Sequence, residues 1–214
     1  MNLIKQQFLE AKGLLESFLA DEHQIELIEQ AGIMMAMAIR DGHKILSCGN
    51  GGSMCDAMHF AEELSGLFRE ERRALPAIAI SDPSHLTCAG NDYGFEAIFS
   101  RFVEAVGQPG DILLAISTSG NSNNVVNAAR EAKNKGMKVV GLTGKTGGKL
   151  ADLCDVEIRA PYSEYSDRIQ EIHITIIHSI IFMVENELDG GKENRVKSQA
   201  PGTRTKELRT KTNQ

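Results

Sequence analysis

The chain opens with two stretches in which apolar residues recur every three or four positions. In the first, residues 3–19, one helical face carries Ile4, Phe8, Ala11, Leu15 and Phe18. The second starts after Asp21, a suitable N-cap residue, and continues to about Arg40. These patterns predict two amphipathic helices within residues 1–41.

From residue 42 onwards, short apolar runs alternate with helical patterns. Five runs are apolar on both faces, which is typical of strands covered by helices on each side. They read KILSC, PAIAIS, DILLAIS, KVVGLT and CDVEIRA. Helical patterns cover 54–68, 94–106 and 122–135, and a long one, DRIQEIHITIIHSIIFMVENEL, follows the last run. The alternation predicts an α/β fold with a doubly wound, five-stranded parallel sheet.

Composition and charge exclude several classes of protein. The chain has 214 residues, 42% of them hydrophobic and 24% charged, and a net charge of −6, so it has no domain-wide basic field for nucleic acid or a membrane surface. The N-terminus lacks the features of a signal peptide, and the most apolar window, 172–184, is shorter than the ~20 residues of a membrane span. The four cysteines form no C-x-x-C pair, which favours a reducing compartment. We therefore expect a cytoplasmic protein that binds neither nucleic acid nor membrane.

The composition changes after residue 188. Residues 189–214 hold seven Lys or Arg and three Asp or Glu, a local net charge of +4, with almost no large apolar side chains. We expect a disordered basic tail, and a tail that binds nucleic acid is a less favoured interpretation. Residues 1–188 are predicted to form a single domain, with N-terminal helices in 1–41 and the α/β core and final helix in 42–188.

Three loops follow predicted strands, and ligands of parallel sheets bind at the carboxyl ends of strands. GNGGS, 49–53, lets backbone N–H groups approach a ligand. ISTSGNS, 116–122, places four hydroxyls before a helix, which favours a phosphate site over an ordinary N-cap turn with surface serines. GLTGKTGGK ends like a Walker A motif but has Val139 where that motif needs glycine, so we reject a nucleotide P-loop and expect Lys145 near the rim of the site.

Candidate acid–base groups lie on two predicted helices. His59 and Glu63 are four residues apart on the helix after GNGGS, so their side chains lie together. A surface ion pair is the alternative, but the nearby loop favours chemistry. The final helix carries Gln170, His173 and His178 in an apolar segment, where a lone histidine is more often a core residue than a ligand.

Five segments carry a resemblance over nearly the whole chain up to about Leu188: GNGGSMCDAMHFAEELSG, NDYGFEAIFSR, DILLAISTSGNS, LTGKTGGK and DRIQEIHITIIH. Together they resemble the bacterial phosphoheptose isomerase family, which has the sugar-isomerase (SIS) fold. The resemblance implies conversion of D-sedoheptulose 7-phosphate to D-glycero-D-manno-heptose 7-phosphate through an enediol, the first step of ADP-heptose and lipopolysaccharide core biosynthesis. It also implies a homotetramer, and we expect the N-terminal helices and the long final helix in its interface.

The resemblance also implies roles for individual residues. Glu63 would be the catalytic base and His178 the acid, and one Zn²⁺ per subunit would be held by His59, Glu63, Gln170 and His178. The implied substrate contacts are Asn50, Gly51, Gly52, Ser53, Glu63, Asn91, Asp92, Ser117, Thr118, Ser119, Ser122, Asp167 and Gln170. The chemistry agrees, because aldose–ketose isomerisation needs one base that moves a proton between two carbons and one acid at the carbonyl oxygen.

Spacing along the final helix adds a constraint on the site. Gln170 and His178 are eight residues apart, about 12 Å of helix rise, so both could reach one metal ion only at full stretch. We therefore expect a neighbouring subunit to complete the site. Two non-catalytic alternatives are an SIS tetramer that binds the replication initiator and a sugar-phosphate sensor. The former lacks the glutamate and histidine at these positions and the latter needs neither, so Glu63 and His178 favour the isomerase.

Overall fold

A computed structural model describes residues 2–188, and the predicted basic tail, 189–214, lies outside this range. The elements in chain order are α1 (Leu3–Leu19), α2 (Glu22–Arg40), β1 (Ile45–Gly49), α3 (Gly52–Ser65), β2 (Ala77–Ala79), α4 (Pro83–Tyr93), α5 (Ile98–Val106), β3 (Ile112–Ile116), α6 (Asn123–Asn134), β4 (Lys138–Thr143), α7 (Gly148–Ala151), β5 (Val156–Arg159) and α8 (Ser166–Leu188). A turn of 3-10 helix, Phe95–Ala97, precedes α5.

The five strands form one parallel sheet in the order β2-β1-β3-β4-β5. This confirms the predicted doubly wound α/β fold. The chain builds outward from β1 to β2 on one side and from β3 to β5 on the other, so the topology switches between β1 and β3. Cys48 pairs with Ala115 and Gly49 with Ile116, which brings the carboxyl ends of these two strands side by side. A crevice at such a switch point is where doubly wound sheets bind their ligands.

Helices cover both faces of the sheet, because successive strand residues point to opposite sides. On one face, Ile112, Leu114 and Ile116 of β3 join a core with residues of α2, α3 and α8. On the other face, Leu113 and Ala115 pack with residues of α4, α5 and α6. The helices that carry His59, Glu63 and His178 therefore lie on the same face.

The N-terminal helices follow the predicted pattern only in part. Asp21 is the N-cap of α2, where its carboxylate accepts a hydrogen bond from the backbone N–H of Gln24. In α1, Phe18 is the only buried residue, whereas Ile4 and Phe8 are 66% and 74% exposed. No other part of residues 2–188 covers the outer apolar side chains of α1, and the place of this face in an oligomer interface stays a prediction.

Helices α4 and α7 were not predicted from the sequence. The segment PSHLTCAGNDY has little apolar periodicity, but Pro83 at its first turn and the N-cap Asp82, which accepts from the N–H of His85 at 2.8 Å, are good helix-start signals. Across residues 2–188, none of the helices combines the length and apolar character that a membrane crossing requires.

Candidate active site

A reciprocal amide pair joins the two loops at the switch point. The side-chain N–H of Asn50 donates to Oδ1 of Asn124 at 2.8 Å, and the Asn124 amide returns the bond to Asn50 at 2.8 Å. Asn124, at the start of α6, is 2% exposed. These two bonds occupy much of the hydrogen-bonding capacity of the Asn50 side chain. They align the GNGGS loop with the serine-rich loop, ISTSGNS at 116–122. Asn124 was missed in the sequence because a polar residue in the first turn of a helix is ordinary.

The serine-rich loop keeps its hydroxyls close together. Ser117 Oγ donates to Ser122 Oγ at 3.1 Å, and Ser119 Oγ accepts from the N–H of Asn121 at 3.1 Å. Ser122 is the N-cap residue of α6, yet its side chain makes no capping hydrogen bond. Its hydroxyl is therefore available in addition to the helix N-terminus, which is the arrangement expected of an anion site. Thr118 lies beside it, with its hydroxyl 3.5 Å from Ser166 Oγ.

The loop GLTGKTGGK packs against the serine-rich loop. Gly120 has φ 65°, and a Cβ there would lie 1.8 Å from the carbonyl oxygen of Gly147, so only glycine fits this contact. The N–H of Leu150 donates to the Gly120 carbonyl at 3.0 Å. Lys145 lines a polar cavity beside Arg159, and its place near the rim of the site stays a prediction.

A groove of about 340 Å³ runs between α3 and α8. Its lining residues are Cys55, Asp56, His59, Asp167, Gln170, Glu171 and Ile174. Near the start of α3, a Cβ at Gly52 would lie 2.5 Å from Oε1 of Gln170, so the glycine allows the Gln170 amide to approach the backbone. Further along, His178 of α8 meets His59 of α3, so the two helices run in the same direction.

Three side chains that can bind a metal ion converge at His59, which lines the groove. His59 Nε2 is 3.3 Å from Glu63 Oε1 and 3.1 Å from His178 Nε2. One donor atom from each of the three residues lies within 4.8 Å of the others, and all three residues are partly buried. A single chain supplies the whole cluster. The packing of α3 beside α8 brings Glu63 and His178 together within one chain, and the completion of the site by a neighbouring subunit stays a prediction.

Comparisons with known proteins agree with this architecture. A family model described as the SIS domain matches residues 8–144. The phosphoheptose isomerase of Tolumonas auensis is 60% identical over 186 residues, which cover 87% of this chain and 97% of that protein. This chain belongs to the phosphoheptose isomerase family. Solved structures of phosphoheptose isomerases from Neisseria gonorrhoeae and Francisella tularensis give TM-scores of 0.80 and 0.81 at 40% and 38% identity, covering 86% of this chain and 97% and 96% of those chains.

Burial and neighbouring charges shift the pKa values of two side chains in this member of the phosphoheptose isomerase family, His178 and Asp56. The pKa of His178 is lowered by burial and by the nearby His59, with Glu63 opposing the shift. Burial also raises the pKa of Asp56 to about 6, with His59 opposing it, and its Oδ2 atom is buried without a hydrogen-bond partner. Asp56 was not among the predicted site residues, although its position one turn before His59 on the same helix was a usable signal.

The remaining predicted residues of the family site are more dispersed. Gln170 lies against Gly52, two turns of α8 before His178, and it lines the groove together with His59. Asn91 and Asp92 bond to one another at 2.8 Å at the exposed end of α4. His173 is fully buried and its Nε2–H donates to the carbonyl of Thr143 at 2.7 Å, so it is a core residue that ties α8 to β4.

Proposed function

We propose that this member of the phosphoheptose isomerase family converts D-sedoheptulose 7-phosphate to D-glycero-D-manno-heptose 7-phosphate. One observation carries the proposal: the Glu63 carboxylate and the imidazoles of His59 and His178 converge, and His59 also lines the groove between α3 and α8. A carboxylate and an imidazole supply the acid–base pair that aldose–ketose isomerisation requires. The relatives that cover most of this chain are themselves named phosphoheptose isomerases.

The phosphate group is proposed to bind at the switch point. Ser117, Ser119 and Ser122 offer hydroxyls, and the N-termini of α3 and α6 offer N–H groups and the positive ends of two helix dipoles. Gly51 and Gly52, at the start of α3, allow the backbone to approach the ligand. A phosphate dianion is well matched to these donors without any lysine.

The sugar chain is proposed to lie in the groove. From Gly52 to Glu63, α3 rises about 16 Å, and its side chains lean toward the N-terminus, which brings the Glu63 carboxylate back toward the groove. Asp167 and Gln170 line the groove, and we propose that they bind the hydroxyl groups. An extended seven-carbon sugar phosphate would thus have its phosphate at the loops and its C1–C2 end near Glu63.

The proposed reaction divides the proton transfers between two residues. Glu63 removes a proton from C1 of the ketose while His178 protonates the carbonyl oxygen on C2, which gives the enediol. Glu63 then returns its proton to C2, and His178 takes up the proton that the C1 hydroxyl loses as the aldehyde forms. Each group ends in its starting state, so no redox cofactor is required.

The donor set of the cluster fits a zinc ion. Two imidazole nitrogens that face each other at 3.1 Å need a proton or a cation between their lone pairs, and the carboxylate beside them favours a cation. Two histidines and a glutamate, with a fourth position left for another ligand, form a known type of catalytic zinc site. We propose that His59, Glu63 and His178 hold Zn²⁺, with Gln170 as a further ligand. When bound, the ion would polarise the substrate carbonyl and stabilise negative charge on its oxygen.

The oligomeric state, the cellular compartment and the pathway of this protein are also proposals. The exposed apolar face of α1 supports an interface between copies of this chain, in the homotetramer expected from the family. We infer a cytoplasmic enzyme that performs the first step of ADP-heptose and lipopolysaccharide core synthesis. The non-catalytic alternatives are not favoured, because relatives at 58–60% identity are named as the isomerase.

The experiment that tests the proposed function is direct product analysis. The purified protein is incubated with sedoheptulose 7-phosphate, with and without added Zn²⁺, and the aldose product is followed by NMR. Formation of D-glycero-D-manno-heptose 7-phosphate that Glu63→Gln abolishes would support the proposal. Absence of product under both metal conditions, from protein shown to be folded, would refute it.

A further inference from the structure

Arg72 lies in the connection between α3 and β2, and its guanidinium is buried against the end of α3. Nε donates to Glu185 Oε1 at 2.6 Å. The terminal nitrogens donate to the backbone carbonyls of Glu63 at 2.8 Å and Leu64 at 2.9 Å. The side chains of Arg72 and Glu185 are 10% and 3% exposed. One cation therefore holds the last turn of α3 against a carboxylate of α8.

The chemistry of a helix end explains why arginine suits this position. The last carbonyl groups of a helix have no partners within it and carry partial negative charge. The planar guanidinium of Arg72 reaches several acceptors at once with fixed geometry, which a lysine ammonium does not reproduce. Because one of these acceptors is the carbonyl of Glu63, Arg72 fixes the backbone of the residue proposed as the catalytic base.

The same contact reaches the helix of the proposed acid. Glu185 is seven residues after His178, two turns of α8, so both side chains lie on the side that faces α3. Glu63 and His178 belong to different helices, and only the packing of those helices sets the distance between them. The Arg72–Glu185 pair joins the two helices at the Glu63 carbonyl and two turns of α8 after His178.

We propose that Arg72 is a positioning residue for the Glu63–His178 pair, acting through its ion pair with Glu185 and its bond to the Glu63 carbonyl. This inference rests on the proposed function. The alternative role is stability alone, since removing one member of a buried ion pair is generally destabilising. A comparison of catalysis in folded variants separates the two roles.

The test uses Arg72→Lys and Arg72→Gln, with Lys44→Gln as the matched control. Lys44→Gln breaks another ion pair to a buried carboxylate, that of Asp111, at the amino ends of β1 and β3 and thus at the opposite end of the sheet from the site. Assays are run where urea unfolding shows each protein to be folded. In the Arg72 variants kcat is expected to fall by at least about tenfold, because small misplacements of catalytic groups are costly. KM should change little, since the phosphate loops are untouched, and the control should keep its kcat.

Two results would overturn the proposal: wild-type kcat in both Arg72 variants, or an equal loss of kcat in Lys44→Gln. If the Arg72 variants do not fold, Glu185→Gln retains an acceptor at Oε1 without the charge, and a normal kcat in this variant would likewise overturn it. A wild-type protein without isomerase activity refutes the proposed function instead.

Crystal structures of the wild type and Arg72→Gln then test the positioning directly. The 3.1 Å contact between His59 and His178 should lengthen in the variant, and an unchanged contact contradicts the inference.

Discussion

Acid should destabilise this fold through His173, a fully buried histidine of α8. Its Nε2–H donates to the carbonyl of Thr143, whereas Nδ1 is buried without a partner. Burial lowers the pKa of His173 to about 4, from an ordinary value of 6.5, although the bond to Thr143 opposes the shift. The folded protein therefore keeps this imidazole neutral at pH values where the unfolded chain protonates it.

The sign and size of the effect follow from proton linkage. Between about pH 6.5 and pH 4 the unfolded state binds more protons than the folded state, so stability falls as the pH falls and levels off below the folded pKa. Each unit of pKa difference corresponds to about 1.4 kcal/mol, so the shift of His173 implies a loss of about 3 kcal/mol once the pH is below both pKa values. That is a large fraction of the usual stability of a domain.

Urea unfolding at pH 7.5, 6, 5 and 4.5 measures the loss in the wild type, in His173→Gln and in a matched control, His23→Gln. Glutamine can still donate to Thr143 but cannot be protonated, so the variant should lose about 2 kcal/mol less stability than the wild type between pH 7.5 and 5. His23 is exposed, so its variant should follow the wild-type curve. Parallel curves for His173→Gln and the wild type would refute the reasoning, because the titrating group would then lie elsewhere.

Three further predictions concern catalysis. Glu63→Gln should lower turnover of sedoheptulose 7-phosphate by ~10²–10⁴-fold with substrate binding retained, and near-normal turnover would remove Glu63 as the base. Ser119→Ala and Ser122→Ala should each weaken sugar-phosphate binding by ~1–3 kcal/mol without unfolding the protein, as measured by calorimetric titration; unchanged affinity in both would place the phosphate elsewhere. Mixing Glu63→Gln subunits with His178→Gln subunits should restore no activity, because one chain supplies both groups. Recovered activity, with mixing verified by mass, would show that the pair is shared between chains.

Local pattern predicted the parts of the site that lie close together in sequence. The alternation of strands and helices indicates a parallel sheet, and the loops at 49–53 and 116–122 follow strands that prove to be adjacent, β1 and β3. The spacing of His59 and Glu63 places them on one helix face wherever that helix packs. These inferences depend on helix and strand periodicity, which a single sequence displays directly.

Contacts across the fold could not be obtained in this way. Spacing along α8 gives the distance between Gln170 and His178 along one helix, but it does not show which helix packs beside them. The structure shows that α8 runs beside α3, so that His178 meets His59 although 119 residues separate them in the chain. The relative direction of two helices depends on how both pack against the sheet, and no local motif encodes it.

The same reasoning explains why polar residues that align the site escaped prediction. Asn124 and Arg72 occupy positions where polar residues are common, a first helical turn and a connecting segment. Each becomes informative only when its partner is known: Asn50 for the first, and the Glu63 carbonyl with Glu185 for the second. The groups proposed for chemistry thus carry a local signature, since the reaction fixes their type. The groups that hold them in place are defined by burial and partners, so their roles emerge only from the tertiary structure.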